Sequence, residues 1–478
     1  MIEKLITAFY LVVSTGVVIT VLWTRVKIVR NEVVIRRLMA AFCSAYVVAL
    51  VLAFIKVHKG NDVMVFGVLL MFAPLLWFVL YLYQKGGYEG SLKFLILAMV
   101  LTSLGLVTQY SLGKSSGGLL AKMLMMKDTP AALNQFVFSA ISIITVSSLF
   151  LSGWLEKAIN WAEKHTSYVL WGSLSFGLLV LPLFFGARIG RTSSWVLSGS
   201  IQTSEFVLKV SFAVFIAKYL SGKPMLALRV YPAKEVTKII LAGAAITFLF
   251  FIFPLFFLQR ELGTTLLLGI ALVIMMTFAT KRISLFFIGI GLIALVIVAA
   301  AYIPGHTEER LRGAWLGWRD YAFAPYQEGG RYWTGWQNFL ARAAFKGSSL
   351  WGVGMASGYP GVIPQVSTDM ISVAIVEQAG VIALALVLFV YILFMTPILD
   401  SSIKPDFRGT LLVGMIVVLI TQALYNLSAA MNILPPTGIP LPFLSNGGSS
   451  IVSNWLIVGV MMSLIDNKNT RGNPHEGD

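Results

Sequence analysis

Hydrophobic residues run in blocks along this chain. Apolar stretches of about 17–25 residues, the length a helix needs to cross the hydrocarbon core of a bilayer, recur from beginning to end with short polar connections between them. They can be drawn at residues 2–23, 39–56, 63–83, 94–112, 135–151, 167–185, 206–220, 238–258, 264–280, 283–303, 369–397, 409–430 and 447–466. The pattern predicts an all-α polytopic membrane protein of about 13 transmembrane helices. One connection, 304–368, is far longer than the rest. Repetition of the runs excludes a cleaved signal peptide followed by a soluble domain.

Composition agrees. Of 478 residues, 58% are hydrophobic and 12% charged, about half the charged share of an ordinary soluble domain. Cys43 is the only cysteine, so neither a disulfide within the chain nor a cysteine-based metal site can form. His58, His165, His306 and His475 stand far apart and form no paired ligand spacing. The net charge of +15 would suit nucleic acid, but the basic residues cluster in short loops between apolar runs, which reads as topology and attraction to anionic membrane lipid. Arg25, Lys27, Arg30, Arg36 and Arg37 follow the first span, and Lys85 and Lys93 follow the third, so both loops are expected inside. Alternation then places the N-terminus, 113–134, 186–205, 259–263, 304–368 and 431–446 outside, and a charged tail inside. Trp315, Trp318, Trp333, Trp336 and Trp351 in the long outer loop suit either a membrane-interface belt or a sugar ring.

Candidate chemistry gathers in the outer connections. In "IPQVSTDMISVAIVEQAG", 363–380, Ser367 or Thr368 can cap the next helix and Asp369 falls in its first turn. That acid is either a helix-start carboxylate or, because it stands at the mouth of the large outer loop, a functional group. Glu377, eight residues on, returns near the same helix face a little over two turns deeper. In "GARIGRTSSWVLSGSIQTSEFVLK", 186–209, Arg188 and Arg191 suit a lipid phosphate or ordinary headgroup contact, while Glu205 and Lys209 form an i, i+4 pair. "QRELGTT", 259–265, is by itself a tight turn. "TGIPLPFLSNGGSS", 437–450, sets prolines and glycines between apolar runs, as a re-entrant lip of a cavity would.

Together these segments resemble the SEDS (RodA/FtsW-type) family of bacterial membrane proteins that serve shape, elongation, division and sporulation. "GAR" with Trp195 resembles the family's GARRW, "QTSE" its QPSE, and "QRELGT" its QPDLGT. "GWQNFLARAAFKGSSLWGVGM" is similar to its GYQ loop with GxG, "PQVSTDMI" to PExHTDFI, and the proline-glycine segment to TGIPLPFISYGGSS. Departures are Ser367 for the family's His, Gln378 for the second of two acids, Asn446 for Tyr, Thr203 for Pro, and a lysine four residues after Glu205 rather than three.

The resemblance implies a family-like core of about 10 helices over 91–466, including the outer loop 304–368, preceded by a three-helix extension at 1–90 and followed by a cytoplasmic tail at 467–478. It implies a peptidoglycan glycosyltransferase of the bacterial cytoplasmic membrane. The enzyme would polymerise lipid II at the outer face during elongation or division, with a class B penicillin-binding protein as partner. Asp369 is its expected general base. Arg188, Arg191, Glu205, Lys209, Gln259, Thr368, Glu377, Ser445, Gly447 and Gly448 are its expected substrate contacts. No cofactor is required by this reading, a divalent cation being the one candidate. A flippase for the lipid-linked precursor and a non-catalytic scaffold are the competing readings.

Overall fold

The computed structural model describes residues 2–23, 32–57, 62–86, 88, 91–113, 115–116, 129–189, 192–196, 201–221, 233–259, 261–300, 336–399, 403–434 and 437–471. Arg191, the loop residues 301–335 with Trp315, Trp318 and Trp333, and the tail 472–478 lie outside them. The chain runs α1 Ile2–Trp23, α2 Glu32–Val57, α3 Asp62–Leu70, α4 Phe72–Lys85, α5 Lys93–Leu112, α6 Ala131–Leu151, α7 Trp154–His165 and α8 Tyr168–Phe185. It continues through α9 Thr203–Phe206, α10 Phe212–Ser221, α11 Ala233–Thr247, α12 Leu262–Thr280, α13 Ile283–Ala300, α14 Trp336–Gly347, α15 Ile371–Phe394, α16 Phe407–Ala430 and α17 Gly448–Arg471.

Nine helices among the described residues are long and apolar enough to cross a membrane, α3 and α4 running together as one of them. The remaining expected spans coincide with α1, α2, the α9–α10 run and α13. Burial sorts the bundle: 89% of the apolar window is buried in both α5 and α16, against 22% in α8. The two buried helices therefore form the centre, and α8 presents most of its surface outward. Thr102, Ser103, Thr108 and Gln109 on α5, and Gln422 and Asn426 on α16, are buried with it. A polar side chain in that position must find a partner: Thr102, Ser103 and Thr108 bond carbonyls of their own helix, and Gln109, Gln422 and Asn426 reach the irregular segments described below.

The helices are interrupted in three ways. Widened π-turns occupy Val207–Ser211, Phe248–Ile252 and Pro254–Leu258, the last opening on a proline that cannot donate to the preceding turn. Helix α15 breaks at Gly380, whose φ of 83° and ψ of 178° suit glycine alone. The connection after α8 is not simple loop: Gly186–Ile189, Thr192–Val196 and Ile201–Gln202 form a three-stranded antiparallel sheet, with Ala187 opposite Trp195 and Trp195 opposite Gln202. Helical periodicity could not reveal it, because each strand is too short to show alternation.

The connection expected between the spans at 135–151 and 167–185 is also folded. It forms the amphipathic helix α7, which buries Leu155, Ile159 and Ala162 and exposes Trp154 and Trp161. Arg408 at the start of α16 ties it down, bonding Glu156 at 2.6 Å and Glu163 at 3.0 Å. The N-terminal helices are packed on the core: the buried Tyr10 hydroxyl on α1 bonds Ser103 of α5 at 2.8 Å, and Tyr46 on α2 donates to the Leu69 carbonyl of α3 at 2.9 Å.

Candidate functional site

Asp369 does not sit in the first turn of a helix. The helix begins at Ile371, its cap residue is Met370, and no side chain caps it. Ser367 and Thr368 are drawn away by other partners: the Ser367 carbonyl accepts from the Asn446 amide at 2.9 Å and from Gln109 at 2.6 Å, and the Thr368 hydroxyl turns to Gln365 at 3.0 Å. The half-buried acid lies in the turn just ahead of α15, anchored through its own carbonyl, which accepts from Asn426 Nδ2 at 2.8 Å. Its carboxylate faces the proline-glycine segment, since a Cβ on Gly438 would lie 3.5 Å from Asp369 Oδ2. Gly438 has a φ of 78°, a backbone shape that leaves glycine as the natural occupant beside the acid.

The segment 437–447 is irregular, yet buried side chains serve its carbonyls. Asn426 donates to Ile439 at 2.7 Å, Gln422 to Pro440 at 2.9 Å and Tyr391 to Pro442 at 2.6 Å. Gln135 serves both Phe443 at 2.9 Å and Leu444 at 3.1 Å. Ser445 closes the turn by accepting from the Leu441 amide at 2.7 Å and donating to the Thr368 carbonyl at 2.5 Å. Phe443, left-handed at φ 65°, is held between the Phe394 and Trp455 rings at 6.2 and 5.6 Å. Packing of this kind can hold a backbone shape that costs about 1–3 kcal/mol.

Two further motifs meet this segment. The Gln202 amide donates to Ser449 at 3.0 Å, and its side chain donates to Glu261 at 3.0 Å. Glu261 also accepts from Thr264 at 2.7 Å, while a Cβ on Gly263 would collide with Thr437. Lys209, fully buried, stands 2.5 Å from Glu205 and 3.0 Å from Ser450. The pair is thus a buried ion pair fixed to the start of α17. Gly447 and Gly448 lead into the same turn, where a Cβ on Gly448 would press on Phe138 at 3.0 Å. Gln259 is buried and donates to the Leu179 carbonyl of α8 at 2.6 Å. Arg188 lies in the first strand of the three-stranded sheet.

Glu377 does not share a helical face with Asp369, because Asp369 lies ahead of the helix. Its carboxylate instead accepts from the Tyr359 amide at 2.7 Å. Beside it a cavity of about 230 Å³ is lined by Ser111, Gln378 and residues 356–362, with Ser111 donating to Gln378 at 2.6 Å. No group of three or more His, Cys, Asp or Glu that could hold a metal ion stands among the described residues.

Sequence reasoning passed over Gln109, Gln135, Tyr391, Gln422, Asn426 and Glu261. A signal existed, since amides inside otherwise apolar spans are expensive unless paired. The partners of Gln109, Gln135 and Tyr391 could not be read, because they are backbone carbonyls far away in the chain, and Glu261 is joined by the Gln202 side chain from another connection.

The fold and the site define a polytopic helical membrane protein with a half-buried acid beside a side-chain-supported break in the bundle. The chain belongs to the FtsW/RodA/SpoVE family of cell cycle proteins, matching the family over residues 91–470. It is 27% identical over 298 residues to the peptidoglycan glycosyltransferase RodA of Mycobacterium bovis, which covers 59% of this chain and 60% of that relative. The chain therefore spans about three fifths of the length of that relative. It is also 25% identical to a probable peptidoglycan glycosyltransferase FtsW of Trichlorobacter lovleyi, covering 79% of this chain and 93% of the relative. To stage V sporulation protein E of Bacillus subtilis it is 27% identical, covering 78% and 96%. Among solved structures, a chain from a peptidoglycan synthase complex superposes with a TM-score of 0.56 at 19% identity over 80% of this chain and 98% of that one. The rod shape determining protein RodA of Thermus thermophilus superposes with a TM-score of 0.52 at 18% identity over 81% and 99%. Both likenesses carry the fold.

Proposed function

We propose that this protein is a peptidoglycan glycosyltransferase that polymerises lipid II, with Asp369 as general base. One observation carries the reading: the Asp369 carboxylate faces Gly438 in a segment that also joins the 202–209 and 259–264 motifs. In the reaction Asp369 takes the proton from the acceptor sugar hydroxyl as its oxygen attacks the anomeric carbon of the donor. The bond from that carbon to the lipid pyrophosphate breaks, and the leaving group carries the electron pair away. Arg188 and Arg191 are the cations assigned to offset that charge. Glu205, Lys209, Gln259, Thr368, Glu377, Ser445, Gly447 and Gly448 shape the surrounding walls.

The site faces outward from the bacterial cytoplasmic membrane, a reading that rests on the basic residues clustered in alternate loops. A class B penicillin-binding protein is the expected partner, and the solved relative from a peptidoglycan synthase complex supports it. The chain divides into the extension 1–90, the core 91–466 and the tail 467–478.

Purified protein, with a candidate transpeptidase partner where needed, is supplied with lipid II and the glycan product is measured. Asp369→Asn is expected to lower the rate by about 10²–10⁴-fold, the contribution of a positioned base. Equal polymer from both proteins would sink the assignment. No polymer from either, with labelled precursor crossing a vesicle bilayer, would replace it with the flippase reading.

A further inference from the structure

The break in α15 is closed by the outer loop. The Val353 amide donates to the Glu377 carbonyl at 2.8 Å and the Gly354 amide to the Gln378 carbonyl at 2.9 Å. In return the Val381 and Ile382 amides reach the Ser349 and Leu350 carbonyls at 3.4 and 3.3 Å. A Cβ on Gly352 would run into the Gln378 backbone, and one on Gly380 into the Leu350 and Gly352 backbones. The half-helix headed by Asp369 is therefore held at its far end by residues 349–354.

Helix α1 reaches that joint and packs along α15. Thr7, Tyr10 and Ser14 form a buried polar seam on α1, while Val12 on another face is 62% exposed. The Thr7 hydroxyl accepts from the Met355 amide at 3.3 Å, and Tyr10 fixes the same helix to Ser103. A hydrocarbon-facing helix gains nothing from a hydroxyl seam. Polar contacts between helices in lipid specify one docked position.

We propose that α1 braces the loop that closes the α15 break, and that Thr7 is a positioning residue which holds Asp369 in place through Met355 and the joint. Only the activity readout of this inference rests on the proposed polymerisation. The test compares full-length Thr7→Val, Thr7→Ser, Tyr10→Phe and Tyr46→Phe with wild type, by hydrogen exchange in detergent and by lipid II polymerisation. Thr7→Val keeps the side-chain volume and removes the acceptor. It is expected to speed exchange of the 352–356 amides about fivefold, the size of one net hydrogen bond, and to lower kcat by a similar factor with KM unchanged. Tyr10→Phe should act in the same direction, and Thr7→Ser should restore both readings. Tyr46→Phe loosens α2 against α3 without touching the loop and should leave the 352–356 amides as in wild type. Unchanged loop exchange in Thr7→Val, or an equal change in Tyr46→Phe, overturns the brace. Exchange is read whether or not wild type makes polymer, so failure of the catalytic reading and failure of the brace are separate results.

Discussion

Among the described residues, the irregular segment 437–447 and the break at Gly380 are mended differently. At 437–447 the backbone leaves the helix altogether, and separate side chains, amides and a phenol from α6, α15 and α16, reach its carbonyls. At Gly380 the helix is cut once, and another stretch of backbone, 349–354, takes over its hydrogen bonds. A backbone group buried away from water costs free energy when it is left unpaired, so both breaks need partners for the groups they bury. The first solution is distributed, because each side chain can be removed separately. The second is indivisible, because two glycine backbones touch where no Cβ fits. Support by separate side chains can vary residue by residue, whereas a joint of two touching glycine backbones cannot.

The sharpest way to break this comparison is Gly380→Ala. The new Cβ meets the Leu350 carbonyl, and the backbone shape is itself unfavourable for alanine. A loss of about 4 kcal/mol or more is expected, read as loss of folded protein in detergent on a denaturant titration. A cost below about 1 kcal/mol would mean that the joint yields and is not indivisible. Asn426→Leu comes next. It strands the Ile439 and Asp369 carbonyls and the Ser372 hydroxyl together. About 3 kcal/mol is expected from those groups, with polymerisation falling as well, because the turn that carries Asp369 loses its anchor. Stability lost with full activity retained would show that Asn426 supports the wall but not the acid.

Much of this was legible in the sequence. The apolar runs located the helices, and the likeness of "PQVSTDMI" and "TGIPLPFLSNGGSS" to family motifs singled out the two segments that the fold brings face to face. The details at Asp369 were not legible. Cap rules placed Ser367 or Thr368 at the helix start, but Gln109 and Asn446 compete for that backbone from positions remote in sequence, and the helix starts later. The Gly380 break was hidden for a related reason. A lone glycine in a membrane span is common, and it is the Leu350 and Gly352 backbones, brought close by folding, that leave no room for a Cβ there. The three-stranded sheet after α8 and the amphipathic α7 escaped because a reading tuned to membrane-length runs passes over short strands and a helix of 12 residues.

The smallest effects test whether the wall is truly distributed. Gln422→Leu removes the donor to Pro440, and about 1–2 kcal/mol is expected for the carbonyl it strands. Tyr391→Phe keeps the ring and removes only the hydroxyl that serves Pro442, for about 1 kcal/mol. If the segment is supported point by point, the double variant should cost the sum of the two within about 0.5 kcal/mol. A double variant costing clearly more than the sum would mean that 437–447 loosens as one unit once two supports are gone. The segment would then resemble the Gly380 joint, and the contrast between the two breaks would lie in the chemistry of their partners rather than in how they fail.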